Sequence, residues 1–267
     1  MEKLRGKVAI VTGGAGGIGR AYALRLALLG ADVAIIDIDL GVASRYGEAL
    51  TAASVMEEVK ALGGRSIGIQ ADLSQQKQAA DAIERVAREL GRIDILVNNA
   101  GGAITPIDRS RSSDTPGEDT EKLFAVNFYS MLHCCQAAAP YLRKQGGAVV
   151  NIATTGVDRT PPGGRIAMYS AAKAAVLRYS QSLAVELGPD GVRVNCISPG
   201  IIESARVKAQ AAARNLGTEA QAKANPLRRL GTPEDCAGAL EFLVTDLSRY
   251  VTGECIRVSG GATLVSL

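Results

Sequence analysis

Two hydrophobic periods alternate along the chain. Short runs rich in Val and Ile fall at 8–12, 32–37, 66–70, 93–97, 148–152, 193–197 and 254–258. Most are apolar at consecutive positions, as expected of strands buried on both faces of a parallel sheet. Longer stretches between them carry apolar residues at three- and four-residue steps. In 73–90, for example, Ala79, Ile83, Val86 and Leu90 share one helical face and Gly91 closes the segment. Gly30, Gly63, Gly91, Gly146 and Gly188 each follow such a run, where a residue tolerant of positive φ can end a helix. The pattern predicts an α/β fold with a seven-stranded, doubly wound parallel sheet and helices on both faces. Three stretches, 101–118, 157–165 and 201–230, break the periodicity with Gly, Pro, Thr or charge and predict loops or lids, the last a substrate lid.

A length of 267 residues fits one such domain spanning 1–267, with no internal repeat and no low-complexity tract. Thirty basic and twenty-seven acidic residues give a net charge of +3 and are interspersed, so no basic run exists to track a nucleic-acid backbone. No apolar segment is long enough to span a bilayer, and the start of the chain lacks the pattern of a secretory leader. Five cysteines without a CxxC pair predict neither a disulfide framework nor a zinc site, which points to a reducing cytoplasm. The single histidine, His133, leaves no histidine pair for a metal and no Ser-His-Asp set for hydrolysis, so no metal site is expected. Cys134 and Cys135 are adjacent on a predicted helix and are read as packing residues.

Candidate chemistry begins at the first strand. Thr12-Gly13-Gly14-Ala15-Gly16-Gly17-Ile18-Gly19 follows it and opens a predicted helix over 20–29. Glycines there let backbone approach a pyrophosphate at a helix N-terminus. The second strand ends in Asp37, about twenty residues past the loop, where a carboxylate can accept hydrogen bonds from both ribose hydroxyls. Asp37 argues for NAD, because a 2′-phosphate would be repelled and neither Ala15, Gly16 nor Ile38 supplies a cation to welcome one. The plainer reading makes Asp37 a strand-end turn residue.

Further motifs follow in order: Asp72 after the third strand, Asn98-Asn99-Ala100-Gly101, Asn127, Tyr169-x3-Lys173 and Pro199-Gly200. The ordered set over nearly the whole chain resembles the short-chain dehydrogenase/reductase family. The resemblance implies a Rossmann fold, a nicotinamide cofactor, a small-molecule alcohol or ketone substrate and a homotetramer. It also implies that Asp72 and Leu73 meet the adenine, that Asn98, Asn99, Ala100 and Gly101 border the cofactor, and that Pro199, Gly200, Ile202 and Ser204 flank the nicotinamide. The family has Thr where this chain has Ser204, so a hydroxyl is kept. Gly13, Gly17, Ile18 and Gly19 complete the cofactor set.

Tyr169 and Lys173, four apart on one predicted helix, project from one face and can share a site. A phenol is a weak base at neutral pH unless positive charge stabilises the phenolate, and Lys173 is expected to supply that charge. Tyr169 would then accept the proton of an alcohol, or donate one to a ketone. The family's catalytic serine is replaced by threonine within Asn151-Ile152-Ala153-Thr154-Thr155-Gly156, which leaves Thr154 or Thr155 as the hydroxyl that orients the substrate oxygen. By the same resemblance Asn127 holds a water linking Lys173 to solvent, with a buried structural amide as the other reading.

Two features vary the theme. Residues 39–53 lengthen the connection after Asp37, as either a cover on the cofactor, resembling carveol dehydrogenase, or a surface loop. Arg109, Arg111, Arg159, Arg165 and Arg206 all fall in the three expected substrate loops, which is either a hint of an anionic substrate or ordinary solvated charge. The main expectation is an NAD-dependent secondary-alcohol dehydrogenase. The alternatives are an NADPH-dependent 3-oxoacyl or ketone reductase and a non-catalytic nucleotide-binding regulator on the same fold.

Overall fold

The computed structural model describes residues 3–214 and 216–264. The ends of the expected domain, Met1, Glu2 and 265–267, lie outside the described residues, as does Asn215. Seven strands form one parallel sheet: β1 Val8–Thr12, β2 Asp32–Asp37, β3 Ser66–Gln70, β4 Ile95–Asn98, β5 Gly147–Ile152, β6 Val192–Pro199 and β7 Cys255–Val258. Their spatial order is β3-β2-β1-β4-β5-β6-β7. The order reverses direction between β1 and β4, so a crevice opens above their carboxyl ends, where doubly wound sheets bind ligands.

The helices in chain order are α1 Gly17–Leu28, α2 Val42–Arg45, α3 Val55–Ala61, α4 Gln76–Leu90, α5 Gly117–Phe124, α6 Ser130–Leu142, α7 Ala167–Leu187, α8 Ala205–Ala209, α9 Ala211–Arg214, α10 Glu219–Ala224 and α11 Pro233–Val244. The strands divide their side chains between two cores. Ala9, Val11, Val33 and Ile35 pack with Tyr22 and Leu26 of α1 and Leu240 of α11. Val8, Ile10, Ala34 and Ile36 pack on the other face with Ile83 of α4, Leu142 of α6 and Leu183 of α7. Burial on both faces explains why these strands read as continuous apolar runs.

Between β4 and β5 the register pairs Asn98 with Asn151. Asn98 Nδ2 donates to Asn151 Oδ1 at 2.8 Å, and Asn151 Nδ2 donates to Ser180 Oγ of α7 at 2.8 Å. This buried polar thread ties two central strands to the helix that carries Tyr169.

Several sequence expectations shift. The helix expected over 73–90 starts at Gln76, because Asp72 Oδ1 accepts from the Ser74 N–H at 3.0 Å and its hydroxyl at 2.7 Å, turning 72–74 into a capping turn. The helix expected over 20–29 begins earlier, inside the glycine loop. Gly188 does not end its helix in the left-handed region: it has φ −55°, and the chain passes through a short 3₁₀ turn before Gly191 takes φ +74°. The stretch 201–230 is not a plain loop, since three short helices, α8 to α10, occupy much of it. Residues 39–53 contain α2. No helix of the described residues is long and apolar enough to cross a membrane.

Candidate active site

A cleft of about 330 Å³ opens above the crevice between β1 and β4. Its lining includes Gly13, Gly17, Ile18, Gly19, Asp37, Asp72, Leu73, Asn99, Ala100, Gly101 and Ser204, eleven of the residues singled out from sequence. The glycine loop has no room for side chains. A Cβ on Gly19 would overlap the Gly13 carbonyl, and one on Gly13, at φ +61°, would stand 2.9 Å from the Ala100 Cα. Thr12, which opens the motif in the sequence, has a role that sequence reading did not assign. Its hydroxyl accepts from the N–H groups of Asn99 and Ala100, both at 3.1 Å, while Asn99 Nδ2 donates to the Gly13 carbonyl at 2.9 Å. The loop and the end of β4 are thereby fastened together.

Asp37 closes one end of the cleft. Its carboxylate accepts from the Ala15 N–H at 3.1 Å and the Asp39 N–H at 3.2 Å. Burial pushes its pKa upward, opposed by these backbone donors. The residues after it form a wall: Val42, Arg45, Tyr46 and Glu48 all line the cleft. Glu48 accepts from the Gly17 N–H at 2.7 Å and pairs with Arg20 at 3.1 Å, and Arg20 also meets the buried Glu58 at 2.6 Å. Arg20 and the Thr51 donors outweigh the burial of Glu58 and hold its carboxyl down to about 2. Arg45 is a cation near Asp37 that sequence reasoning passed over, and it pairs with Asp39 at 2.5 Å.

An adenine dinucleotide therefore fits the glycine cradle and the carboxylate at the end of β2, and its pyrophosphate would take the Gly17 N–H at the start of α1 in place of Glu48. Pro199, Gly200 and Ile202 are not part of this lining. Pro199 ends β6, Gly200 donates to the Val258 carbonyl at 2.9 Å, and Ile202 is buried in the core. Ser204 lies over Gly17, where its Oγ accepts from the Val207 N–H at 3.3 Å and starts α8. Among the described residues no cluster of His, Cys, Asp or Glu could hold a metal ion.

Beyond the cleft the first turns of α7 bring Tyr169 and Lys173 to one face. Tyr169 is hydrogen-bonded to Thr154, the residue after β5 and Ala153. The Thr155 hydroxyl turns away and donates to the Pro199 carbonyl at 3.3 Å. Lys173 is buried, and its Nζ donates to the Ile152 carbonyl at 2.7 Å. Burial brings its pKa down to about 8. Burial also pushes the Tyr169 phenol upward, against the Thr154 hydrogen bond and the positive charges of Arg206 and Arg214. Arg206 and Arg214 are thus two cations acting on the phenol that the sequence reading had not assigned to it.

Two local strains position this face. Ile166, just before α7, has φ +55°, an unfavourable conformation for a β-branched residue. Ser110 holds it there: its hydroxyl accepts from the Ile166 N–H and its carbonyl from the Ala167 N–H, both at 3.2 Å. Asn127 lies in a π turn, Ala125–Tyr129, and not in regular α-helix. Its Nδ2 donates to the Gly102 carbonyl at 3.0 Å and the Leu123 carbonyl at 2.9 Å, and its Oδ1 accepts from the Gly102 N–H at 2.8 Å. Both amide N–H groups are committed to backbone.

Of the loop arginines, Arg109 is paired with Glu118 and Asp119, and Arg159 donates to the Ala262 carbonyl. Arg111 and Arg165 are exposed. All five cysteines are free, with Cys134 and Cys135 buried as packing residues.

Comparison with known proteins agrees with this architecture. A family model described as enoyl-(acyl carrier protein) reductase matches residues 13–263. Cyclohexanol dehydrogenase of Rhodococcus sp. (strain TK6) is 43% identical over 264 residues, which cover 97% of each chain. A short-chain type dehydrogenase/reductase from Mycobacterium marinum superposes with a TM-score of 0.86 at 32% identity, covering 99% of this chain and 98% of that one. A 7α-hydroxysteroid dehydrogenase in complex with NADH and 7-oxo glycochenodeoxycholic acid superposes with a TM-score of 0.84 at 31% identity, covering 97% and 95%. The chain belongs to the short-chain dehydrogenase/reductase family and is an oxidoreductase of its alcohol dehydrogenase type.

Proposed function

We propose that the protein interconverts a secondary alcohol and a ketone with NAD, and that its substrate is a ring alcohol of the kind the cyclohexanol dehydrogenase and the hydroxysteroid dehydrogenase are named for. The observation that carries this reading is Tyr169 facing Thr154, one helical turn from the buried Lys173, whose Nζ is anchored to the Ile152 carbonyl at 2.7 Å. It is the proton-handling half of a carbinol site, placed next to a cleft shaped for a dinucleotide. When bound, the nicotinamide cofactor supplies the hydride acceptor or donor. Thr154 orients the substrate oxygen, and Tyr169 Oη takes the hydroxyl proton in oxidation or returns it in reduction. Lys173, with its pKa brought down to about 8, can pass that proton onward near neutral pH. Asn127 acts as a positioning residue that fixes the Gly101-Gly102 backbone beside the site.

Asp37 supports NAD, because its carboxylate would meet a 2′-phosphate with like charge. One observation favours a second reading, acceptance of NADP as well: Arg45 reaches the same end of the cleft and could leave Asp39 for a phosphate. Pro199, Gly200, Ile202 and Ser204 are proposed to border the nicotinamide. The one-domain organisation, the homotetramer and the cytoplasmic location belong to the same proposal, and light scattering of the purified protein tests the assembly. The activity is tested by following NAD and NADP reduction with cyclohexanol, a hydroxysteroid and an acyclic secondary alcohol. NAD reduction that depends on Tyr169 is expected. Binding of NADH without turnover of any alcohol would favour a non-catalytic role, and a strong NADP preference would overturn the Asp37 argument.

A further inference from the structure

The side of the site facing α8 and α9 carries more positive charge than the reaction needs. Arg206 starts in α8 and Arg214 ends α9. Both guanidinium groups rest on one strip of backbone after β4: Arg206 Nη1 is 3.4 Å from the Gly101 carbonyl, and Arg214 Nη1 is 3.4 Å from the Thr105 carbonyl. Each contact is a single long hydrogen bond from a group with five N–H donors. Neither arginine has an acidic partner among the described residues, in contrast to Arg109 of the neighbouring loop. Arg214 is half-buried, and burial together with Arg206 pulls its pKa down. Both charges favour the phenolate of Tyr169, and Arg206 lines the cleft at the Gly101 side.

Arg206 is exposed, but desolvating the half-buried Arg214 beside it is costly unless an anion joins them. Two planar forks resting on one strip of backbone, with donors left over, match an oxyanion, which can accept from both at once. We propose that the substrate carries an oxyanionic group, a carboxylate or a phosphate, which Arg206 and Arg214 bind together, so that α8 and α9 act as the substrate's charge-reading element. This rests on the alcohol dehydrogenase reading above and narrows it from a ring alcohol to an anionic one. Both forks already touch the Gly101 to Thr105 strip, so the bound anion would also draw α8 and α9 onto that strip.

The test uses three ring alcohols of one shape, 4-hydroxycyclohexanecarboxylate, its carboxamide and 4-hydroxycyclohexyl phosphate, with NAD. The wild type is expected to favour one of the two anions over the amide by about tenfold or more in kcat/KM, the usual scale for a charge-assisted contact. In Arg214→Gln and Arg206→Gln that ratio should fall towards one, mainly through KM. Arg214→Lys should restore part of it, since the charge returns without the fork. Binding of 4-oxocyclohexanecarboxylate and its amide to the NADH-loaded protein, read by calorimetry, gives the same discrimination without turnover. Tyr169-dependent oxidation of the amide as readily as of both anions would overturn the proposal while leaving the dehydrogenase reading intact. Turnover of none of the three, with the keto acid still bound tenfold tighter than its amide, would support the anion site and count against the reaction. If Arg206→Gln weakens NADH binding and leaves the ratio alone, the arginine serves the cofactor's pyrophosphate and the proposal fails. It fails equally if both variants shift the pH profile of kcat alike for anion and amide, because the arginines then only tune the phenol.

Discussion

The two ends of the site are built on opposite principles. At the dinucleotide end the decisive atoms are backbone, and side chains are excluded: Gly13, Gly17 and Gly19 take conformations or close approaches that a Cβ would spoil, and Thr12 and Asn99 clamp the loop to β4. At the reacting end the decisive atoms are side chains, namely a buried ammonium, a phenol pushed upward by burial and a half-buried arginine with no carboxylate partner among the described residues. Order at the first end comes from sterics and is local in sequence. At the second end it comes from elements far apart in the chain, β5, α7, α8 and α9, which meet only in the folded protein.

The sharpest way to separate the ends is Tyr169→Phe. It should lower kcat by about 10³ to 10⁴, while the affinity for NADH measured by fluorescence titration stays within about threefold. A parallel loss of NADH affinity would mean that the two ends are not separable.

Next in size is the cost of the buried Lys173. Its pKa lies at about 8, against an ordinary 10.5. Below pH 8 the group is charged in both folded and unfolded chains, and the folded state carries a penalty of about 3 kcal/mol. Between 8 and 10.5 the unfolded chain holds more protons, so this group makes stability rise with pH, and above 10.5 the penalty is gone. Lys173→Met lacks it altogether. Urea unfolding should therefore show the variant's advantage over wild type shrinking by about 3 kcal/mol from pH 7.5 to pH 10.5. A difference that does not change with pH would refute the buried charged state.

Gly19→Ala probes the other end. Overpacking against the Gly13 carbonyl should cost about 1 to 3 kcal/mol and should weaken NADH binding more than it weakens turnover at saturating cofactor. The smallest effect is expected from Glu48→Gln, which keeps the shape but loses the charge on Gly17 and Arg20. Stability should fall by about 1 kcal/mol, with hydrogen exchange rising first in residues 39–53.

This division also explains what could be read beforehand. The strands and glycine loop were legible because their determinants are short-range, apolar runs and residues without side chains. Asp37 was placed by its distance from the loop. Gly188 misled because Pro189 follows it directly and the chain could continue into a 3₁₀ turn, leaving the left-handed step to Gly191. Arg45 and Glu48 escaped notice because nothing in a Gly-rich insertion says that it folds back on α1. The offset from Asn127 and Asn151 favoured Thr154 in sequence, with Thr155 as the neighbouring alternative, and the structure turns the Thr155 hydroxyl to the Pro199 carbonyl while Thr154 faces Tyr169. The weight of Arg214 could not be seen either, since it depends on which described residues surround it in space, and none of them brings a carboxylate to it.

The amide pair between β4 and β5 has a consequence for folding fidelity. Strand side chains alternate faces, so a slip of one residue would turn Asn98 and Asn151 to opposite sides of the sheet. Both amides and Ser180 would then be stranded in hydrocarbon. Runs as uniform as Ile95–Asn98 and Gly147–Ile152 offer little else to tell one alignment from the next. The two asparagines act as a key cut for a single position, and every misaligned sheet is rejected before Tyr169 has anything to face.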